Sequence, residues 1–263
     1  PSKADDMGKK SLVWLSDEWI EMLGLVLDEA QKEQMACDLI VGSGWPFGSE
    51  KLPRERTASV MLTYAMEIEG GMPLDISRFH LMSSIDPQVS VPNPGRTCEL
   101  VSLKLTPDSV WNMSQVEDIT GKMEGDMLHL DLPSGKYILY ALVRFDSFAS
   151  VINGAPGASG SMLNHLDAAA VKDYLDDMAR AIEKRLGPLA LHLRAMFVDS
   201  MELEGMNWSS DFSDEFFKRR GYRIEPYLPF TMFKLGRLGN VQSFDYGAKK
   251  GGDFLQPLNR ARF

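Results

Sequence analysis

The chain has 263 residues, 44% of them hydrophobic, which is enough to bury a sizeable core in one large domain or two smaller ones. Lys and Arg total 28 against 37 Asp and Glu, a formal charge of −9, so no basic footprint for nucleic acid exists and polyanions are repelled at long range. The two cysteines, Cys37 and Cys98, form neither a disulfide framework nor a zinc-binding spacing, and no apolar run approaches the roughly 20 residues that cross a bilayer. Neutral or cationic ligands remain the favoured partners, with no nucleic acid and no membrane.

The first helix signal runs over residues 11–33. Ser16 suits an N-cap with Asp17 and Glu18 behind it, and Trp19, Ile20, Leu23, Val26, Leu27 and Ala30 recur at helical spacing. Residues 35–41 then read as a buried strand, broken by Gly42-Ser43-Gly44 into a loop that carries Trp45, Pro46 and Phe47. That glycine loop is no phosphate cradle, because proline and aromatics follow it in place of a helix start and lysine.

From about residue 57 the texture changes. Period-two patterns at 59–69, 98–105, 127–132 and 136–145, separated by Gly, Pro, Asn and Asp turn formers, predict an antiparallel β region with 72–95 as loop. The small residues of 153–161 make a connection or site loop. A second long helix follows, with Asp167 as its N-cap, an apolar face through Val171, Tyr174, Leu175, Met178 and Ile182, and Gly187-Pro188 as its end. A third helix is expected over 213–220, stopped by Gly221, and the last thirty residues show little periodicity.

Between the second and third helices, Ala195-Met196-Phe197-Val198 is too short and too evenly apolar for an amphipathic helix and reads as a strand buried on both faces. Asp199, Glu202 and Glu204 appear where it would leave the core, and in α/β folds the carboxyl ends of strands are where sites are built. Glu202 can serve as a general acid or base beside Asp199, since one carboxylate near another has its pKa raised. A solvated acidic turn explains the same residues equally well. Trp45, Phe47 and Trp208 lie in loops, where flat rings can stack on the apolar faces of sugars. His165 could bond a ligand hydroxyl or simply be satisfied near a helix start, and Asn164 and Asn207 are candidate hydroxyl readers, although turn asparagines also arise for local reasons.

Taken in order, LSDEW, GSGWPFGS, the β region, LNHLDAAAVKDYL, FVDSMELEGMNW and FFKRRGYRIEPYLP resemble the catalytic region of the α-L-rhamnosidases of glycoside hydrolase family 106, over residues 11–229. The resemblance implies an α/β fold, a partial (β/α)8 TIM-like barrel with an inserted antiparallel β-domain. On that scheme 11–56 would open the barrel, 57–150 would be the insertion and 151–263 would continue the barrel. It implies hydrolysis of terminal α-L-rhamnosides with inversion, an active-site calcium ion with unassigned ligands, and a periplasmic or secreted bacterial setting. Glu202 falls on the family's DSxE glutamate, its general acid, Asp199 falls on its aspartate, and Trp45 matches the site-loop tryptophan. Trp45, His165, Asn164, Asn207 and Trp208 are then the expected sugar contacts.

An inverting hydrolase needs a second carboxylate roughly 6.5 to 9.5 Å from the first. In the family it lies far downstream, so this chain is expected to be a piece of a longer enzyme, incomplete without the remainder of the same enzyme as partner. The alternative from another class is a non-catalytic carbohydrate-binding protein.

Overall fold

The computed structural model describes residues 11–108, 113–198 and 201–231. In chain order it contains helix α1 (Asp17–Lys32), strands β1 (Asp38–Ile40), β2 (Gly48–Ser49), β3 (Ser59–Gly70) and β4 (Leu74–Ser77), and helix α2 (Arg78–Ser83). Strands β5 (Thr97–Pro107), β6 (Glu117–Asp118), β7 (Met123–Glu124), β8 (Met127–Leu130), β9 (Gly135–Asp146) and β10 (Ser161–Met162) follow. Helix α3 (Ala168–Leu186), strand β11 (Ala195–Phe197) and helices α4 (Phe212–Arg220) and α5 (Leu228–Thr231) complete it. Contacts divide the chain into two compact units, Pro1–Ala58 with Ser90–Arg96 and Ser147–Leu203, and Ser59–Val89 with Thr97–Asp146 and Glu204–Phe263.

The first unit is built on two capped amphipathic helices. Ser16 Oγ accepts the Trp19 N–H at 3.2 Å to start α1, which buries Ile20 and Leu27. Val26, expected on that face, is 58% exposed. Asp167 Oδ1 accepts the N–H groups of Ala169 and Ala170 to start α3, and Ala170, Tyr174, Met178 and Ile182, each four residues from the last, turn inward. They pack with Trp14, Val41, Phe47, Leu163 and Leu189 into one core. Two short pairings flank it. β1 runs parallel to β11 in the register Asp38↔Ala195 to Ile40↔Phe197, and β2 pairs antiparallel with β10.

The second unit is a sandwich. Its larger sheet has the order β3-β9-β5-β6, all antiparallel, with β3 and β9 paired along twelve residues from Ser59↔Asp146 to Gly70↔Gly135. The smaller sheet, β4-β8-β7, covers one face, and Ile76, Leu81, Leu128 and Leu130 meet Ile68, Leu103, Leu105 and Leu139 in the core between them. On the opposite face Trp208, Ile224 and Leu228 pack on Met61 and Leu142. Both faces of β9 are therefore covered, and Ile138 to Val143 are buried without the alternation expected of a one-sided strand.

Three expectations are corrected here. The barrel is not found: the described residues hold small antiparallel sheets and one parallel pair of three-residue strands, with no closed barrel among them. The 195–198 run is not buried on both faces, since β11 has one neighbouring strand among the described residues and Phe197 is 48% exposed. Residues 72–95 are not simply loop. Leu74 and Ile76 of β4 pair with Leu130 and Leu128 of β8, and Leu81 of α2 is fully buried.

Candidate active site

A hollow of about 390 Å³ opens in the first unit where the parallel pair ends. Ile40 and Val41 form its floor at the end of β1, and Val198 and Met201 contribute from beyond β11. The backbone holds these segments together, because the Val41 N–H donates to the Phe197 carbonyl at 2.9 Å. A second wall is the loop from Gly44 to Phe47, and a third is Ile152 with Asn153. These two walls are zipped by paired backbone bonds, Trp45 N–H to Ile152 carbonyl at 3.0 Å and Ile152 N–H to Trp45 carbonyl at 2.8 Å.

The glycines of this loop serve close approach. Gly42 has φ +78°, and a Cβ there would stand 2.5 Å from that of Phe47; at Gly44 it would meet the Gly154 Cα at 2.7 Å. The small-residue segment beyond is tied down as well. The Glu50 carboxylate accepts the Ser159 hydroxyl at 2.5 Å and the Gly157 N–H at 3.0 Å, and these bonds hold its carboxyl below the usual range.

His165 completes the lining. Its Nδ1 lies 2.7 Å from the Leu163 carbonyl oxygen, and its ring meets the Phe47 ring edge-on at 4.4 Å between centroids. Phe47 in turn packs on Tyr174, whose hydroxyl donates to the Gly48 carbonyl, so an aromatic stack anchored in α3 backs the histidine. Burial pushes the His165 imidazole below its ordinary value, against a smaller upward pull from the Leu163 carbonyl. The ring is therefore neutral. A carbonyl can only accept, so Nδ1 carries the proton and Nε2 is the free lone pair.

Of the residues singled out from sequence, the structure brings Trp45 and His165 to this hollow, together with the residues on either side of positions 199 and 200. Asp199 itself lies outside the described residues. Glu202 is exposed and does not belong to the lining. Asn164 is buried, and its Oδ1 accepts the Leu166 N–H in a local turn. Asn207 and Trp208 belong to the second unit. Asn207 bonds both backbone groups of Met61, Oδ1 accepting its N–H at 2.8 Å and Nδ2 donating to its carbonyl at 2.9 Å, while Trp208 is buried against Phe212. Ile152 and Met201 carried no sequence signal, and Asn153 only that of the 153–161 connection or site loop; that a loop at 152–153 faces Trp45 follows only from the pairing of the two walls.

Among the described residues no three His, Cys, Asp or Glu side chains gather as a cation site, so the implied calcium has no donor set there and no step is routed through it. No helix among them is long and apolar enough to cross a membrane.

The family model for the alpha-L-rhamnosidases of glycoside hydrolase family 106 matches residues 97–243, more than half of the chain. The chain belongs to this family. Among solved structures, a rhamnosidase from Novosphingobium sp. superposes with a TM-score of 0.57 at 13% identity, over 84% of this chain and 37% of that one, which is a likeness of fold. A protein of Formosa agariphila, provisionally named a beta-glucuronidase, is 20% identical over 243 residues, 82% of this chain and 21% of its own length. The family member described here thus spans about a fifth of that relative and just over a third of the solved rhamnosidase.

Proposed function

We propose that this glycoside hydrolase family member acts on terminal α-L-rhamnosides and that the hollow beside Trp45 receives the terminal sugar. The observation that carries the reading is the character of the lining. It offers the indole of Trp45 and the apolar side chains of Ile40, Ile152, Val198 and Met201, with no Lys or Arg among the described residues. A deoxyhexose presents a methyl group and a CH-rich ring face to such walls. A uronic acid would bring a carboxylate into it without a counter-charge, which costs several kcal/mol on the order expected for an unpaired ion.

In this reading Glu202 is the general acid. It protonates the glycosidic oxygen as the bond to the anomeric carbon breaks, and water attacks from the opposite face under a second carboxylate, giving inversion. Asp199, three positions earlier in the sequence, is assigned to tuning that acid on the family likeness alone. We place the second carboxylate in further polypeptide of the same enzyme. Two observations support this: β1 and β11 expose Ile40 and Phe197 although parallel pairs are ordinarily covered on both faces, and the chain covers a minor share of its relatives.

Glu202→Gln in the whole enzyme tests the assignment. Hydrolysis of alkyl α-L-rhamnosides, whose leaving groups need the proton, should fall by about 10²–10⁴-fold, with folding intact by circular dichroism and β-L-rhamnose as the first product of the parent enzyme. Unchanged turnover by the variant refutes it. The described lining carries no carboxylate, and this favours a second reading, sugar binding without cleavage; binding of rhamnose by the whole enzyme with no release of reducing sugar would establish that one.

A further inference from the structure

Five buried side-chain polar atoms among the described residues have no hydrogen-bond partner, on Trp14, Thr63, Ser102, Thr106 and His165. Only His165 lines the hollow. An acceptor left unpaired in the interior is costly, and one retained at a concave site calls for an explanation, which a bound ligand supplies. The other tautomer does not relieve the cost: moving the proton to Nε2 would set the Nδ1 lone pair against the Leu163 carbonyl oxygen 2.7 Å away, and a second proton is disfavoured by burial. Phe47 also clamps it from the side.

Resting on the reading of the hollow as a sugar site, we propose that His165 Nε2 accepts a hydrogen bond from one hydroxyl of the bound sugar and is the residue that fixes the sugar's orientation. An acceptor in an otherwise apolar wall rewards a ligand that can donate there and repels one that offers only oxygens with lone pairs, so it selects hydroxyl over carboxylate. Nε2 is closed to a water-sized sphere, and the sugar reaches it as a lining side chain gives way. Met201 is suited to this, being half exposed and unbranched, with a thioether that repacks at little cost.

The test is a titration of the histidine-¹⁵N-labelled protein with L-rhamnose, D-mannose and sodium D-glucuronate. L-Rhamnose should move the Nε2 resonance of His165 from its free-acceptor position toward the hydrogen-bonded range, while Nδ1 keeps its proton. His165→Leu should weaken rhamnose binding about 3- to 10-fold, the worth of one hydrogen bond, and His165→Gln, whose amide oxygen reaches the position of Nε2, should restore most of it. Rhamnose that binds without moving Nε2, or equally well to the Leu variant, overturns the proposal and leaves the rhamnoside reading standing. Glucuronate bound as tightly as rhamnose overturns it too. If mannose alone binds and moves Nε2, the role of His165 stands and the rhamnoside reading falls; if no neutral sugar binds, both fall.

Discussion

Asn207 shows what one side chain in a suggestive motif can be used for. In the sequence it stands in an Asn-Trp pair after an acidic cluster, where a hydroxyl reader would be at home. In the structure its amide replaces a neighbouring strand for Met61, accepting one backbone bond and donating another. Asn207→Leu keeps the volume but leaves the Met61 N–H and carbonyl unpaired, so the midpoint of urea unfolding should drop by the equivalent of about 2–3 kcal/mol. L-Rhamnose affinity should be unaltered in that variant. The signal was absent from the local sequence because Met61 is 146 positions away, and only the fold makes them neighbours. His165 was open between two uses for a related reason. A histidine before a helix start has many local partners, and what marks this one is an atom without any.

At the level of elements, the legible ones are those whose signals lie within a few residues. The caps Ser16 and Asp167 and the stops Gly187 and Gly221 bound three helices to within a residue or two of their places, since a cap is a bond between residues two or three apart. Asp167 has a further tie, as Arg56 donates to its second oxygen at 3.3 Å. Asp167→Ala should therefore cost about 1–2 kcal/mol in thermal unfolding, the upper end reflecting the lost Arg56 contact, since Arg56 keeps its 2.9 Å pairing with Asp173, and Asp167→Asn should recover the capping part alone. The strands are another matter. The long β3, β5 and β9 announce themselves as β-forming runs bounded by turn formers, although the burial of β3 and β9 does not follow the expected alternation, but β11 is three apolar residues, and whether such a run is buried depends on neighbours supplied from elsewhere. Likewise β4 and α2 offer only Leu74, Ile76 and Leu81 to be read, too few for a period, and take their definition from pairing with β8.

For the molecule as a whole, composition and punctuation separate a helix-rich part from a β-rich part, and contacts divide the chain near residues 58 and 146. They did not show that residues 204–231 group with the sheets, because that depends on Trp208, Ile224 and Leu228 finding the back of β3 and β9. Nor was the barrel implied by family likeness found: the parallel pair β1 and β11, with α1 and α3 packed in the same unit, is the part of the described chain nearest to such an arrangement, and it does not close. Membership of the rhamnosidase family and the geometry of the hollow thus rest on different observations, and they meet at Ile152, Asn153, His165, Val198 and Met201, which line the hollow and fall within the matched residues. The direct measurement is a crystal structure of the protein soaked with L-rhamnose. The pyranose ring should lie against the Trp45 indole with one hydroxyl within hydrogen-bond distance of His165 Nε2; rhamnose bound elsewhere, with the Trp45 face left bare, would contradict the assignment of this hollow.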